Sequence, residues 1–493
     1  MKVDSLTIRT VNGFLWIFTS TGVQAVLQFV VLIILARLLS PEEFGIVGAG
    51  LVIVGFAQVF SQIGIGPAIV QRSKISQNHV RVGFTLSVII SCFVGLSIAT
   101  LAPAIAIFFS MPELESVVRV MSLIFPITGV SLIAHSLFQR EMQFKKLAII
   151  QVISFLLGYG FIGVLLAYLG WGVWALVYAQ LGQVTVKSII LLGIYPKAMG
   201  FALSAKEIKE ILTFGTGFSL GRIANAIAGQ ADNLVVGRWL GAEALGIYGR
   251  AYQFLVLPVN LFGKVVDKVL FPAMASVQDD RDRLRRAYRR SVGISFMINL
   301  PLGAILFVMA PELVSLILGE QWISVAATFQ ILSLIIALRA SYKLSDSLAR
   351  ATGAVYRRAW RQLIYAGAVF FGALIGQYWG VKGVAVGVAI AICINYTLMH
   401  QLSIRLIGAS WSDFFGIYIR HLTVAVTTGI SVWGVKMFML SLAVPCSGVL
   451  VAGIVAAFLV GVLFIVFSPS IFGEEGVWLK ASGKAYIKRV GLG

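Results

Sequence analysis

The stretch RLLSPEEFGIV, residues 37–47, returns 201 residues later as RWLGAEALGIY, residues 238–248, with Arg, Leu, Glu, Gly and Ile in register. Each copy closes one apolar run and opens the next. Further along, Pro67-Ala68 closes the second apolar run and Pro272-Ala273 closes the eighth. The basic connection QREMQFKKLA (139–148) has a looser counterpart in RATGAVYRRA (350–359). If each unit holds six helices, an even number, both units enter a membrane from the same side and the repeats are parallel. Two bundles related in that way leave a cavity between them.

The rest of the chain requires a membrane. Of 493 residues, 59% are hydrophobic and 12% charged, and the mean hydropathy is +0.94. No water-soluble domain of this length could carry such a composition on its surface. Fifty glycines and ten tryptophans fit, since small residues let membrane helices approach closely and Trp prefers the headgroup level. Cys92, Cys393 and Cys446 have neither metal-ligand spacing nor a disulfide pattern. The N-terminal run lacks a small-residue cleavage site and reads as a retained helix.

A hydrocarbon core about 30 Å thick needs roughly 20 apolar residues per helix. On that basis fourteen spans are expected, centred on 12–36, 44–70, 82–109, 118–138, 147–168, 173–194, 209–236, 245–271, 291–310, 323–346, 360–377, 384–404, 417–438 and 446–467. The expected fold is an all-α polytopic membrane protein. An N-terminal six-helix bundle (1–195) and a C-terminal one (196–408) surround a central cavity, followed by two additional helices (409–467) and a cytoplasmic tail (468–493). The net charge of +19 is concentrated in the connections on one side, and of the 39 Lys and Arg only Lys187 and Arg222 fall well inside spans. That bias predicts cytoplasmic termini and argues against nucleic acid as a partner.

Span seven contains SLGRIANAIAGQADNLVVGRW (219–239). At 100° per residue, Arg222, Asn225, Gly229, Asp232 and Asn233 share a face about 100° wide, and Gln230 lies beside them. Arg222 is roughly 20 Å from either end of its span, too deep to reach an interface. An intramembrane Arg costs at least about 2.5–3.5 kcal/mol on the insertion scale, which makes it a functional candidate; the alternative is a structural hydrogen bond. Asn12, Gln24 and Gln28 form an uncharged stripe in span one, and Gln24 aligns with Asn225 under the repeat. Lys187 continues Gln180 and Gln183 in span six, either as a cavity ligand or as a side chain snorkelling to the interface. Arg250, Lys264, Asp267, Lys268, Arg119, Arg339 and Lys343 read as interfacial anchors near span ends, and His135 as a satisfied polar residue. The run DDRDRLRRAYRR (279–290) is expected to lie on anionic headgroups. No catalytic constellation, metal-ligand cluster, cofactor motif or ATP-binding loop is evident.

ARLLSPEEFGIVG after span one, LFQREMQFKKLA after span four and FPAMASVQDD after span eight carry a resemblance. The chain resembles the polysaccharide-transporter branch of the multidrug/oligosaccharidyl-lipid/polysaccharide exporter superfamily, within it the Wzx-like flippases of the colanic-acid-exporter type. The resemblance implies two six-helix bundles around an alternately opening cavity lined by helices one, two, seven and eight, and places the Arg222 stripe toward that cavity. It implies export of undecaprenyl-pyrophosphate-linked oligosaccharide from the cytoplasmic to the outer leaflet of a bacterial inner membrane. The implied partners are this lipid-linked glycan, membrane lipids, and a polysaccharide polymerase with its chain-length machinery. Arg222 would hold the diphosphate, and Asn225, Gln230, Asp232 and Asn233 the sugar hydroxyls. Two rivals are a cation-coupled drug antiporter of the same fold, for which Asp232 is the relevant carboxylate, and an integral membrane glycan polymerase. The short, charge-poor outer connections argue against the polymerase.

Overall fold

A computed structural model of the chain describes residues 26–62, 64–72, 75–266 and 270–467; for 62, 212, 214–228, 264–265 and 465–467 only the backbone is described. Every regular element among the described residues is helical. The chain forms two compact units, Met1–Gly246 and Ile247–Gly493.

The first unit begins its described part with α1 (Val26–Leu38). It continues through α2 (Pro41–Gln62), α3 (Ile65–Gln71), α4 (Gln77–Phe109), α5 (Leu114–Met121) and α6 (Ile124–Arg140). After α7 (Phe144–Phe155) comes a π-helical segment, Leu156–Gly163, then α8 (Val164–Tyr168) and α9 (Val173–Ile194). The helix α10 (Ala205–Val265) starts in this unit and ends in the second, with a break at Gly241. The φ of +89° there is one that glycine alone adopts without steric cost. The break therefore falls between the expected seventh and eighth spans.

Local chemistry sets several of these boundaries. Ser76 caps α4: its hydroxyl accepts from the His79 amide at 3.3 Å, and the Ser76 amide donates to His79 Nδ1 at 3.4 Å. Gly64, with φ +64°, separates α2 from α3. Arg140, from the basic connection, donates to the carbonyls of Ile69 at 2.9 Å and Val70 at 3.3 Å, satisfying the open end of α3. The core of this part is built from Ile65, Ile69, Val82, Ile133, Phe138 and Leu191.

The repeated stretch makes a contact of its own. A Cβ on Gly45 would collide with the carbonyl of Ala242, and a Cβ on Gly246 would collide with the carbonyl of Pro41. These two glycines occupy the same position in the two copies, as do Pro41 and Ala242. Each copy of the motif therefore rests its glycine on the other's backbone.

The second unit contains the rest of α10, α11 (Phe271–Ala275), α12 (Arg281–Ile317), α13 (Ser324–Ser333) and α14 (Ile336–Ala351). It is completed by α15 (Val355–Gly376), α16 (Gly380–Ile407), α17 (Ser412–Ser441) and α18 (Cys446–Phe467). The axes of α13 and α14 differ by 46° at the break between them, as in a broken span or a re-entrant pair. The basic run 279–290 does not form a separate surface helix. Asp280 caps α12 by accepting from the Arg283 amide at 3.0 Å, and the run supplies the first turns of that helix. Leu284 and Tyr288 are buried in the same core as Val292, Phe296, Leu344 and Phe414. Arg285 pairs with Asp413 at 2.7 Å. Leu284 and Tyr288, one helical turn apart, thus pack inward, while Arg281, Arg283, Arg286 and Arg290 stay exposed.

His400 joins four helices of this unit. It is fully buried, with Tyr288 Oη 2.8 Å from Nδ1 and Tyr418 Oη 2.9 Å from Nε2. Tyr288 also meets Ser345 Oγ at 2.8 Å. Near the other end of α17, Lys436 Nζ lies 2.8 Å from Glu312 and donates to the Val308 carbonyl at 2.9 Å, fastening α17 to α12.

Among the described residues, nine helices are long and apolar enough to cross a membrane, or ten if the bent pair counts as one span. Large apolar side chains such as Phe93, Leu96 and Ile107 on α4 and Ile430 and Phe458 on α17 and α18 face outward. A bilayer is the solvent for such a surface, and the chain is a multi-pass membrane protein.

Candidate functional site

The expected site residues fall into three groups. Asn12 and Gln24 lie outside the described residues, and the side chains of Arg222 and Asn225 do as well. Gln230, Asp232 and Asn233 continue the stripe on α10 in the first unit. Asn233 Nδ2 donates to Gln230 Oε1 at 3.0 Å, one helical turn away. Both are half-buried, and Gln230 faces Gly55 of α2, where the missing side chain leaves room. Asp232 is 3% exposed and accepts the Asn233 amide at 2.9 Å. The accessible polar pair on this part of α10 is thus Gln230 with Asn233, while the carboxylate is turned into the unit.

Lys187 on α9 is half-buried. The next residue, Ser188, donates to Ser131 Oγ at 2.8 Å on α6. Of the stripe that leads to Lys187, Gln180 accepts from Tyr159 Oη at 2.7 Å. Gln183 packs its backbone on Gly158, where a Cβ would come within 2.5 Å. Tyr159 and Gly158 both belong to the π-helical segment, whose wider turn shifts side-chain positions relative to an α-helix. Gln28 is exposed on α1.

The second unit contains residues that the sequence reading had set aside as interfacial anchors. Where α13 and α14 count as one bent span from Ser324 to Ala351, Arg339 is fifteen residues from one end and twelve from the other, about 18–22 Å at 1.5 Å per residue, a depth like that expected of Arg222. Its guanidinium donates to Tyr252 Oη at 2.6 Å and Tyr365 Oη at 3.2 Å, and lies 5.0 Å from the Tyr252 ring centre. Lys343 follows one turn on, its stem within 3.6 Å of where a Gly263 side chain would begin. Arg250 donates to Gln253 at 2.5 Å on the same stretch of α10 that carries Tyr252. Gln362 donates to Asn395 at 3.2 Å between α15 and α16.

A carboxylate nearby has a different role. Asp346 is buried, holds Arg350 at 3.1 Å and also accepts from Arg358, so the counterpart basic connection RATGAVYRRA is tied to its own helix pair. The arrangement on α10, α14 and α15 is an intramembrane set of cations and hydroxyls. Guanidinium groups and hydroxyls at this depth can hold oxyanions by charge-assisted hydrogen bonds and exchange bonds with sugar hydroxyls. The sequence signal for Arg339 was present in LRASYKLSD (338–346).

The family described as polysaccharide biosynthesis protein matches residues 34–327. Lipopolysaccharide biosynthesis protein WzxC of Escherichia coli is 27% identical over 421 residues, covering 83% of this chain and 84% of WzxC. Succinoglycan biosynthesis transport protein ExoT of Rhizobium meliloti is 32% identical over 300 residues, 60% of each chain. Among solved structures, lipid II flippase MurJ in an inward closed conformation superposes with a TM-score of 0.74 at 14% identity, covering 92% of this chain and 98% of MurJ. The fold is therefore that of MurJ, and the chain belongs to the polysaccharide biosynthesis protein family.

Proposed function

We propose that this protein is a flippase that moves undecaprenyl-pyrophosphate-linked oligosaccharide units from the cytoplasmic to the outer leaflet of a bacterial inner membrane, for surface polysaccharide assembly. Family membership, the transport role in the name of ExoT and the MurJ-like fold support this reading. The observation that carries it is Arg339, a mid-span guanidinium ringed by tyrosine hydroxyls. Fourteen helices form two parallel repeats, 1–195 and 196–408, that alternate in access, with 409–467 as an addition and both termini in the cytoplasm. The reciprocal contact of Gly45 and Gly246 supports the repeat.

The physical task is to carry a diphosphate and several sugars across hydrocarbon while the polyisoprenyl tail stays in lipid. In the first unit Arg222 holds the diphosphate; in the second unit Arg339, with Lys343 one turn on, is a further cation able to hold an oxyanion. Asn225, Gln230, Asp232 and Asn233, joined by Gln24, Gln28 and Lys187, offer exchangeable hydrogen bonds to the glycan. An inside-negative potential favours outward movement of negative charge, by about 2.3 kcal/mol per charge per 100 mV. The chain makes and breaks no covalent bond in this reading; a polymerase and its chain-length machinery act on the product outside. Deleting the gene and measuring where complete lipid-linked units accumulate tests it. Accumulation on the inner leaflet is expected, whereas incomplete units would assign a transferase and altered drug sensitivity alone an antiporter.

A further inference from the structure

The α15–α16 pair carries a groove whose lining includes none of the residues assigned above to the glycan. The two helices touch backbone to backbone: a Cβ on Gly372 would come within 2.7 Å of the Gly387 carbonyl oxygen, and Gly376 and Gly383 are as close to each other. Small residues allow such an approach in membranes. It leaves a floor of glycine, over which Ile375, Val386, Ile390 and Ile394 stand as walls. The groove encloses about 560 Å³. Its outward-facing walls are apolar, with Ile375 and Ile390 more than half exposed.

Length and ends define what fits. Along α16 the groove runs from Lys382 to Ile394, twelve residues, or about 18 Å. One leaflet contributes about half of a 30 Å hydrocarbon core, so the groove is about one leaflet deep. At one end stand Lys382 and Trp379, beside Tyr378; the two aromatic side chains are 72% and 82% exposed. Trp and Tyr mark headgroup depth, and Lys382 in the first turn of α16 adds a positive charge where the helix dipole is also positive. In the proposed orientation this end is on the outer side, where positive residues are scarce, so topology does not account for Lys382. The first unit has a groove of similar build, about 640 Å³, where Gly160 and Val164 face Ile33 and Ile34, with Arg37 and Tyr168 also in its lining.

We propose that the α15–α16 groove binds a membrane lipid with an anionic phosphate headgroup, one acyl chain lying on the glycine floor and the phosphate on Lys382. Its test does not depend on transport. The full-length protein is purified, delipidated and incubated with phosphatidylglycerol or phosphatidylcholine of identical chains, and retained lipid is counted by native mass spectrometry. Wild type retains phosphatidylglycerol in preference. Lys382→Gln lowers that retention about fivefold, the loss of one basic residue near a headgroup, and leaves phosphatidylcholine unchanged. Ile390→Trp, which fills the groove without touching the glycine contact, lowers both. Thermal melting of each variant at the wild-type temperature shows that it is folded. Equal retention of the two lipids by wild type, unchanged phosphatidylglycerol retention in Lys382→Gln, or a dimer in which a second copy covers the groove would each overturn the assignment.

Discussion

Replacing Arg339 separates a transport role from a structural one. The side chain makes two charge-assisted hydrogen bonds, to Tyr252 and Tyr365, and sits over the Tyr252 ring. If these contacts only hold α14 to α10 and α15, then Arg339→Gln keeps a donor for a tyrosine oxygen and loses little. Arg339→Ala would instead lose stability by about 1.5–3 kcal/mol. If the charge holds a diphosphate, Gln and Ala both remove an interaction of that size from the transported complex, and transport falls roughly ten- to a hundredfold at normal abundance. Arg339→Lys recovers part of the rate, since it keeps the charge but not the planar fork. The assay is the appearance of lipid-linked glycan at the outer face, normalised to protein in the membrane. The expected order is wild type, Lys, then Gln with Ala. A Gln variant that transports at the wild-type rate refutes a role for the charge.

Four further outcomes are expected. At position 222, transport should decrease in the order Lys, Ala, Glu, because Glu repels the phosphate that Ala merely fails to hold; equal rates in all three would remove Arg222 from the site. Gly45→Ala and Gly246→Ala should each lower thermal stability by about 1–3 kcal/mol, as overpacking against a rigid backbone does, and to similar extents; wild-type melting of either would contradict the contact. Glu207 is held well below the usual carboxylate range, at about 2, chiefly by the Ser204 hydroxyl and then by the Asn78 amide. Its folded value is depressed, so its contribution to stability is complete above about pH 4.5 and is lost as pH falls toward about 2; Glu207→Gln should flatten melting temperature over that range. Cys446, exposed at the start of α18, should react with an impermeant maleimide in intact cells, while Cys92, midway along the outward face of α4, stays in lipid and does not react; protection of Cys446 until the membrane is broken would reverse the orientation.

Periodicity and hydropathy made much of the helical layout readable. Val173–Ile194 and Cys446–Phe467 coincide with the intervals expected for spans six and fourteen, because both are predominantly apolar and are followed two residues on by a proline, Pro196 and Pro469. Gly241 marked a junction because GAEALG interrupts two apolar runs. The depth of Arg339 was not readable in the same way. It turns on the break at Leu334–Ile335, among residues as apolar as their neighbours, since Arg339 is mid-span only where the two helices count as one crossing. That 279–290 runs on into α12 was hidden for a related reason: Leu284 and Tyr288 pack with Leu344 and Phe414, which are distant in sequence. In the candidate site, sequence spacing put Asp232 and Asn233 on one face, whereas burial separates them: a face about 100° wide can have one edge in a core and the other in an open space.

The contact between Gly45 and Gly246 reads the same in both directions. A polypeptide of half this length, carrying a single copy of the motif, would close it with a second copy of itself through an isologous two-fold interface. Two copies of the motif in one chain replace an encounter between molecules with a tether, and the contact then forms at any dilution. Two copies in one chain also need not stay alike. The backbone-on-backbone part cannot drift, since a side chain on either glycine meets a carbonyl, but the residues around it are free to differ, as Pro41 differs from Ala242 and Phe44 from Leu245.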